Sequence, residues 1–371
     1  MNKIVLSCLI VFSPLFLLAQ DEEINIAGLV YLNYQSSLPD GILSAKSVVL
    51  VSSPNKPGES IAEDWYPMAK EAHEVLTKAG LDPVAYYFYD DVYAGTEARR
   101  AFAESWQDRG ISYIVMLLKS EVNNKKGDMR YLLLATSFNG TESLMTEGQP
   151  GWKASAKNLK SVTQRFSRAA NKLEKQNLMP AAAPEHFTDV RMVNSNRIES
   201  YFTDLKLGKL AVPEFGLDES PGSRPGGLVN NLVEKRKEQA VTQMSQYNKE
   251  LASIMDSYKF DYGFVDRETS DKDLMIAGYA YVLRRLHTSG LEIKRLLNYE
   301  VDEEEEYYIT VKMINGKPTM RYIPIKAPVY KYYIKNLKTG NIYLGKDWDA
   351  DETWQESLKN VIYNIGKELK W

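Results

Sequence analysis

Hydrophobic positions change their spacing along this chain, and the first apolar run is unlike the others. Residues 4–18 are almost unbrokenly apolar, follow Asn2-Lys3, and end in Leu17-Leu18-Ala19 just before Gln20-Asp21-Glu22-Glu23. A positive start, a stretch shorter than the roughly 20 residues of a membrane span and a small residue at its end predict an export signal cleaved after Ala19. Cys8, the only cysteine, lies inside it. Read as a lipidation cysteine, it would leave only residues 4–7 as the apolar region before it, so cleavage at Ala19 is the better reading. The processed chain then has no thiol, which excludes disulfides, thiolate nucleophiles and cysteine-ligated zinc.

Further along, residues 47–51 and 112–118 are continuous apolar runs, the pattern of strands buried on both faces. Between them Trp65, Met68, Ala69, Ala72, Val75, Leu76 and Ala79 recur at helical spacing, 84–89 reads as a strand, and Ala98, Ala101, Phe102, Ser105 and Trp106 mark a second helix. A strand over 129–138, a turn at Asn139-Gly140 and a helix over 152–173 complete a β-α-β-α-β-β-(β)-α unit, an α/β sandwich with a mixed sheet. A second series offers a strand at 260–265, a helix at 272–288 and a strand at 292–298. Strands at 306–314 and 330–337 follow, then a turn at Lys338-Thr339-Gly340-Asn341, a short strand at 342–344 and a helix from Trp354.

The two series share residues. Trp152, Ser155, Lys157, Asn158 and Leu159 match Trp354, Ser357, Lys359, Asn360 and Val361 in spacing, and Leu76 to Asp82 parallels Leu286 to Glu292 around a glycine. These matches predict an internal duplication. The expected plan is a signal at 1–19, an N-terminal segment at 20–45, α/β domains at 46–176 and 258–371, a connector at 177–227 and a long helix at 228–257. Ala240, Met244, Tyr247, Leu251, Ile254 and Tyr258 stripe that helix, too briefly for a partner-binding coiled coil, and predict packing within the chain. A strand, a Thr-Gly turn, a strand and a closing amphipathic helix resemble the small α/β domains of envelope proteins of the TolB N-terminal, CsgG and LpoB type. That resemblance implies a non-catalytic envelope role and identifies no functional residue.

Charge adds little that is specific. Without Lys3 the chain carries 45 Lys+Arg against 49 Asp+Glu, a net charge of −4, which does not favour nucleic acid. No later apolar run is long enough to span a membrane. The 24 tyrosines point first to half-buried strands and then to recognition surfaces. Alternation along 307–313 and 330–335 sets Tyr308, Lys331 and Tyr333 on faces that mix tyrosine with lysine, a candidate surface for a protein, glycan or lipid partner.

Asp347, Asp349 and Asp351 alternate as in some calcium loops, but Glu352 and Leu358 stand where an EF-hand has glycine and a bidentate Glu. The same acids before Thr353, with Glu356 three residues on, predict a helix cap instead. The acid run 302–306 reads as a solvated turn, and the Gly-rich stretch 222–227, without the Lys-Ser/Thr ending of a phosphate loop, as a linker. Asp90-Asp91 would point to opposite faces of a strand end, and His73 and His287 to solvated helix faces. The expected function is an exported, non-catalytic envelope protein, with no cofactor, that binds an envelope partner. The alternative is an exported hydrolase with a carboxylate-based site.

Overall fold

The computed structural model describes residues 32–121, 128–177, 179–186, 190–193, 195–216, 233–302, 304–314 and 317–371. The expected export signal lies outside them. Among the described residues the chain has mixed α/β content, with eight helices, two large mixed sheets and a two-stranded ribbon.

The first sheet uses β1 (Asn33–Gln35), β2 (Lys46–Ser52), β3 (Asp82–Phe88), β4 (Ile111–Glu121), β5 (Met129–Ser137), β6 (Pro150–Ala156) and β7 (Glu185–His186) in the order β1-β6-β5-β4-β2-β3-β7. Between these strands run α1 (Tyr66–Lys78), α2 (Tyr89–Val92), α3 (Thr96–Asp108) and α4 (Leu159–Ala170). β2 is buried from Ser47 to Ser52, so its two faces serve two cores and the period-two alternation disappears from the sequence. Alternate residues separate them cleanly. Val49, Val51, Val115, Leu117 and Leu133 pack under α1 and α4, while Val48, Leu50, Ile114, Met116 and Leu132 face α2 and α3.

The second sheet contains β8 (Arg197–Ile198), β9 (Leu210–Pro213), β10 (Tyr262–Val265), β11 (Tyr281–Ser289), β14 (Pro328–Asn336) and β15 (Ile342–Tyr343) in the order β10-β9-β11-β14-β15-β8. Its helices are α5 (Val233–Met255), α6 (Asp271–Ile276), α7 (Gly290–Leu296) and α8 (Trp354–Leu369), and β12 (Tyr307–Ile314) pairs with β13 (Lys317–Pro324) as a separate ribbon. Counted from β8, this sheet has the strand order and directions of the first. β10, β9 and β11 run parallel as β3, β2 and β4 do; β14 and β15 return antiparallel as β5 and β6 do; β8 lies parallel to β15 as β1 does to β6.

The recurrence is one of topology alone, and the two units are copies only in that sense; the residue matches that predict an internal duplication fall out of register with it. Trp152 sits in β6 whereas Trp354 opens α8, and Leu286 lies in a strand whereas Leu76 lies in a helix. The expected helix at 152–173 is β6 followed by α4, whose start is set by Asn158, its side chain accepting a hydrogen bond from the Ser161 amide at 2.8 Å. The expected helix at 272–288 is α6, a turn at Gly278 (φ +85°) and then β11, and the expected strand at 292–298 is α7. The stretch 177–227, expected as a connector, supplies β7, β8 and β9. The helix stripe does pack within the chain: Leu251, Met255 and Tyr258 share a core with Leu358, Val361 and Ile365 of α8.

Both copies turn their α1/α4 and α5/α8 faces outward, and their other faces meet. Leu286, Ile293, Val329 and Tyr333 of the second copy belong to one apolar cluster with Leu50, Phe102, Trp106 and Met116 of the first. β11 pairs with β9 only at Tyr281 and Val282, and beyond that the His287 amide donates to Ala94 O at 2.8 Å. The backbone approach is close enough that a Cβ on Gly95 would lie 2.6 Å from Arg285 O, so only glycine fits at this contact.

A histidine clamp ties β7 down. His73, buried in α1, lies 2.9 Å through Nε2 from Ala181 O and 3.3 Å through Nδ1 from the Tyr86 hydroxyl. Neutral imidazole with the proton on Nε2 satisfies both, since Tyr86, its pKa driven up by burial, keeps its proton to donate. Burial lowers the pKa of His73, and of His186 beside it. Because the unfolded imidazole takes up its proton more readily, this stability is complete above about pH 6.5 and drains away as pH falls below that value. Urea midpoints from pH 7.5 to 5.5 are expected to fall less steeply in His73→Gln than in the wild type; parallel slopes would show that His73 does not titrate with unfolding.

Candidate functional site

The structure disperses the residues that the sequence offers as a site. Tyr308, Lys331 and Tyr333 are 3%, 0% and 0% exposed. The mixed tyrosine–lysine face of β14 is therefore core, covered by the first copy and by α7, and is not an open binding surface. Tyr308 lies on Gly290 and beside Trp348, with ring centroids 4.8 Å apart. Lys331 forms a buried ion pair with Asp349, near the Leu344 carbonyl and the Trp348 ring. Burial raises the pKa of Asp349, while Lys331 and Asn364 act in the opposite direction.

The alternate aspartates do not converge either. Asp347 pairs with Lys367 at 2.8 Å, Asp349 with Lys331, and Asp351 with Arg321 at 3.2 Å, so their oxygens face three different cations. No group of three or more histidines, aspartates or glutamates that could hold a metal ion occurs among the described residues. The helix cap does form, with Thr353 Oγ1 accepting from the Glu356 amide at 3.3 Å. His287 is on β11, not on a helix, and stacks on Tyr330 at 3.9 Å. Asp90 and Asp91 lie in the first turn of α2, and Asp91 accepts from Thr288 Oγ1 across the interface at 2.6 Å. Burial and then Glu292 hold the Asp91 carboxyl well above the usual carboxylate range. The Gly-rich stretch 222–227 falls outside the described residues.

Two features were not legible as sites. The first is a charged cluster at the meeting of the copies, where β9 and β11 diverge. Glu97, in the first turn of α3, faces Arg284 at 3.5 Å and Lys335 at 3.0 Å, while Asp271 holds the same two cations at 2.5 and 2.8 Å. Burial alone would raise the pKa of Asp271, but Lys335 and Arg284 bring it below the ordinary value. The cleft beside this cluster leaves about 40 Å³ of room for water, and the Tyr333 hydroxyl has no hydrogen-bond partner among the described residues. Such a space suits one or two ordered waters rather than a substrate, whose pockets run to roughly 300–1,000 Å³. The cluster joins the two copies.

The second feature is the ribbon. It follows α7 and precedes β14, at the place where the first copy passes from β4 to β5 without such an addition. Its inner face is fixed: Tyr308, Thr310 and Ile323 are buried, Asn360 Nδ2 donates to Thr310 Oγ1 at 3.4 Å, and Arg321 reaches Asp351 and Glu352. Alternation then sends the other set outward. Tyr307, Ile309, Met320 and Tyr322 are 52–69% exposed, and Ile309 faces Tyr322 directly across the ribbon. Asp302, Glu304 and Glu306 are exposed at its base.

No helix among the described residues is long and apolar enough to cross a membrane. No protein-family model matches the chain, and no curated protein matches it. Among solved structures, a dodecameric PelC variant from Paraburkholderia phytofirmans is similar to it at 13% identity, over 38% of this chain and 96% of that one, with a TM-score of 0.23.

Proposed function

We propose that this is an exported, non-catalytic interaction protein whose ribbon docks a protein partner in the cell envelope. The outward face of β12 and β13 carries the reading. Four large apolar side chains stand together on a two-stranded insertion whose opposite face is rigidly seated. Scattered exposed apolar residues need no explanation, whereas a contiguous set on a rigid element is characteristic of an interaction surface. Tyrosine and isoleucine offer large contact area at small entropic cost. The exposed acids at the base of the ribbon favour a partner whose apolar surface is bordered by lysine or arginine. Export rests on residues 1–19, with their positive start, apolar run and terminal Ala19.

The test is photo-crosslinking in the native cells from a reactive side chain placed at Ile309 or Tyr322, with Val241, exposed on α5, as the control position. One discrete adduct from both ribbon positions and none from the control is the expected result. Equal adducts at all three positions, or none at the ribbon, would refute the proposal.

A further inference from the structure

We infer that the outer edge of β10 is a strand-addition site that takes a short, extended segment of a partner protein, running parallel to β10. This surface is separate from the ribbon face, and the inference does not depend on the ribbon's role. It rests on a difference between the two copies. β3 occupies in the first sheet the place of β10 in the second, and β3 is not an edge. There β7 pairs with it in parallel, Glu185 beside Ala85 and His186 beside Tyr86. The His186 ring settles among Trp65, Tyr66 and Tyr86, with centroids 4.6 to 6.2 Å away.

Among the described residues β10 pairs with β9 alone, and none of its four residues is buried, in contrast to Ala85, Tyr86 and Tyr87 of β3. The direction of its free groups follows from the pairing. Leu210 donates to Asp261 O and Glu214 to Val265 O, so residues 261, 263 and 265 face β9. Alternation turns the N–H and C=O of Tyr262 and Phe264 to the open side. The rings of these two residues, 5.7 Å apart, stand on one face of the strand, and Phe264 is 39% exposed. A segment added here gains backbone hydrogen bonds from the edge and sets every second side chain beside two aromatic rings, which selects an apolar residue at alternate positions.

The parallel sense of the β3–β7 pairing also indicates the kind of occupant. Two copies of this chain related by a two-fold axis would bring their β10 edges together antiparallel. A parallel addition calls for a different segment, presented without a strand of its own on the far side.

The test uses the purified protein and a displayed library of random ten-residue peptides. Peptides with alternating apolar residues should be retained, and their binding should protect the Tyr262 and Phe264 amides from hydrogen exchange. Phe264→Pro removes one outward N–H without removing a bond to β9, and should weaken the retained peptides about tenfold or more. Equal binding by Phe264→Pro, protection confined to other amides, or no retained peptide would each overturn the inference. If the proline variant loses its thermal transition, the exchange pattern of the wild type decides. A doubled mass in light scattering that the proline abolishes would assign the edge to a second copy of this chain and overturn the inference as well.

Discussion

Replacing Lys331 by Met should destabilise the protein by about 3–5 kcal/mol, the cost of leaving a buried carboxylate without its counter-charge. Lys331 and Asp349 are both essentially inaccessible, so water cannot stand in for the lost ammonium. Asp349 would keep Asn364 Nδ2, at 3.4 Å, and its own backbone amide, but no counter-charge. The double variant Lys331→Met with Asp349→Leu removes both charges and should recover most of the loss, because an apolar pair of similar volume often matches a buried ion pair. Urea unfolding of the two variants checks this. A loss below about 1 kcal/mol in the single variant would mean that water reaches the pair.

Trp354→Ala carries a similar expected cost, about 3–5 kcal/mol. Trp354 is 2% exposed at the first position of α8 and joins three elements, its ring 4.6 Å from Phe215 beyond β9 and 5.7 Å from Tyr247 of α5. Among the described residues its indole N–H has no hydrogen-bond partner. The ring therefore acts through volume, and Trp354→Phe should retain much of the stability that Trp354→Ala loses, with a deficit of about 1–2 kcal/mol. Thermal melts of the pair distinguish this from a polar role, for which both replacements would cost alike.

The first copy is the more legible half of the sequence. β2, α1, β3, α3, β4 and β5 lie within a few residues of where periodicity places them, because each is a single element bounded by glycine or by a polar turn. The second copy misleads between 271 and 298. Leu274, Ala277 and Tyr281 fall at helical spacing across what is really α6, a turn and β11. β11 hides its alternation by burying both faces, and its Arg284 is affordable only because Glu97 and Asp271 reach it from elsewhere in the chain. A helix signal was present and competed poorly: Ser289 and Glu292 form an N-terminal cap, Ser289 Oγ accepting from the Glu292 amide at 3.2 Å. β8 and β15 are two residues long, too short to register as periodic.

The candidate surface fails for a related reason. Alternation divides Tyr307 and Ile309 from Tyr308 and Thr310 correctly, yet gives no sign of which set faces water. Ordinary amphipathic logic would bury the more apolar set. Arg321, reaching inward to Asp351 and Glu352, and Thr310, meeting Asn360, reverse that choice by giving the polar set partners on the body.

The shared core between the copies also has a consequence in time. Leu50, Met116 and Leu132 lie in strands made early, while Val329 and Tyr333, which share their cluster, lie roughly 200 residues further along. At about 5–20 residues per second, a ribosome needs on the order of 10–40 seconds to bring that cover into being. Throughout this interval the nascent first copy holds one finished apolar face toward α1 and α4 and another that α2 and α3 cover only in part.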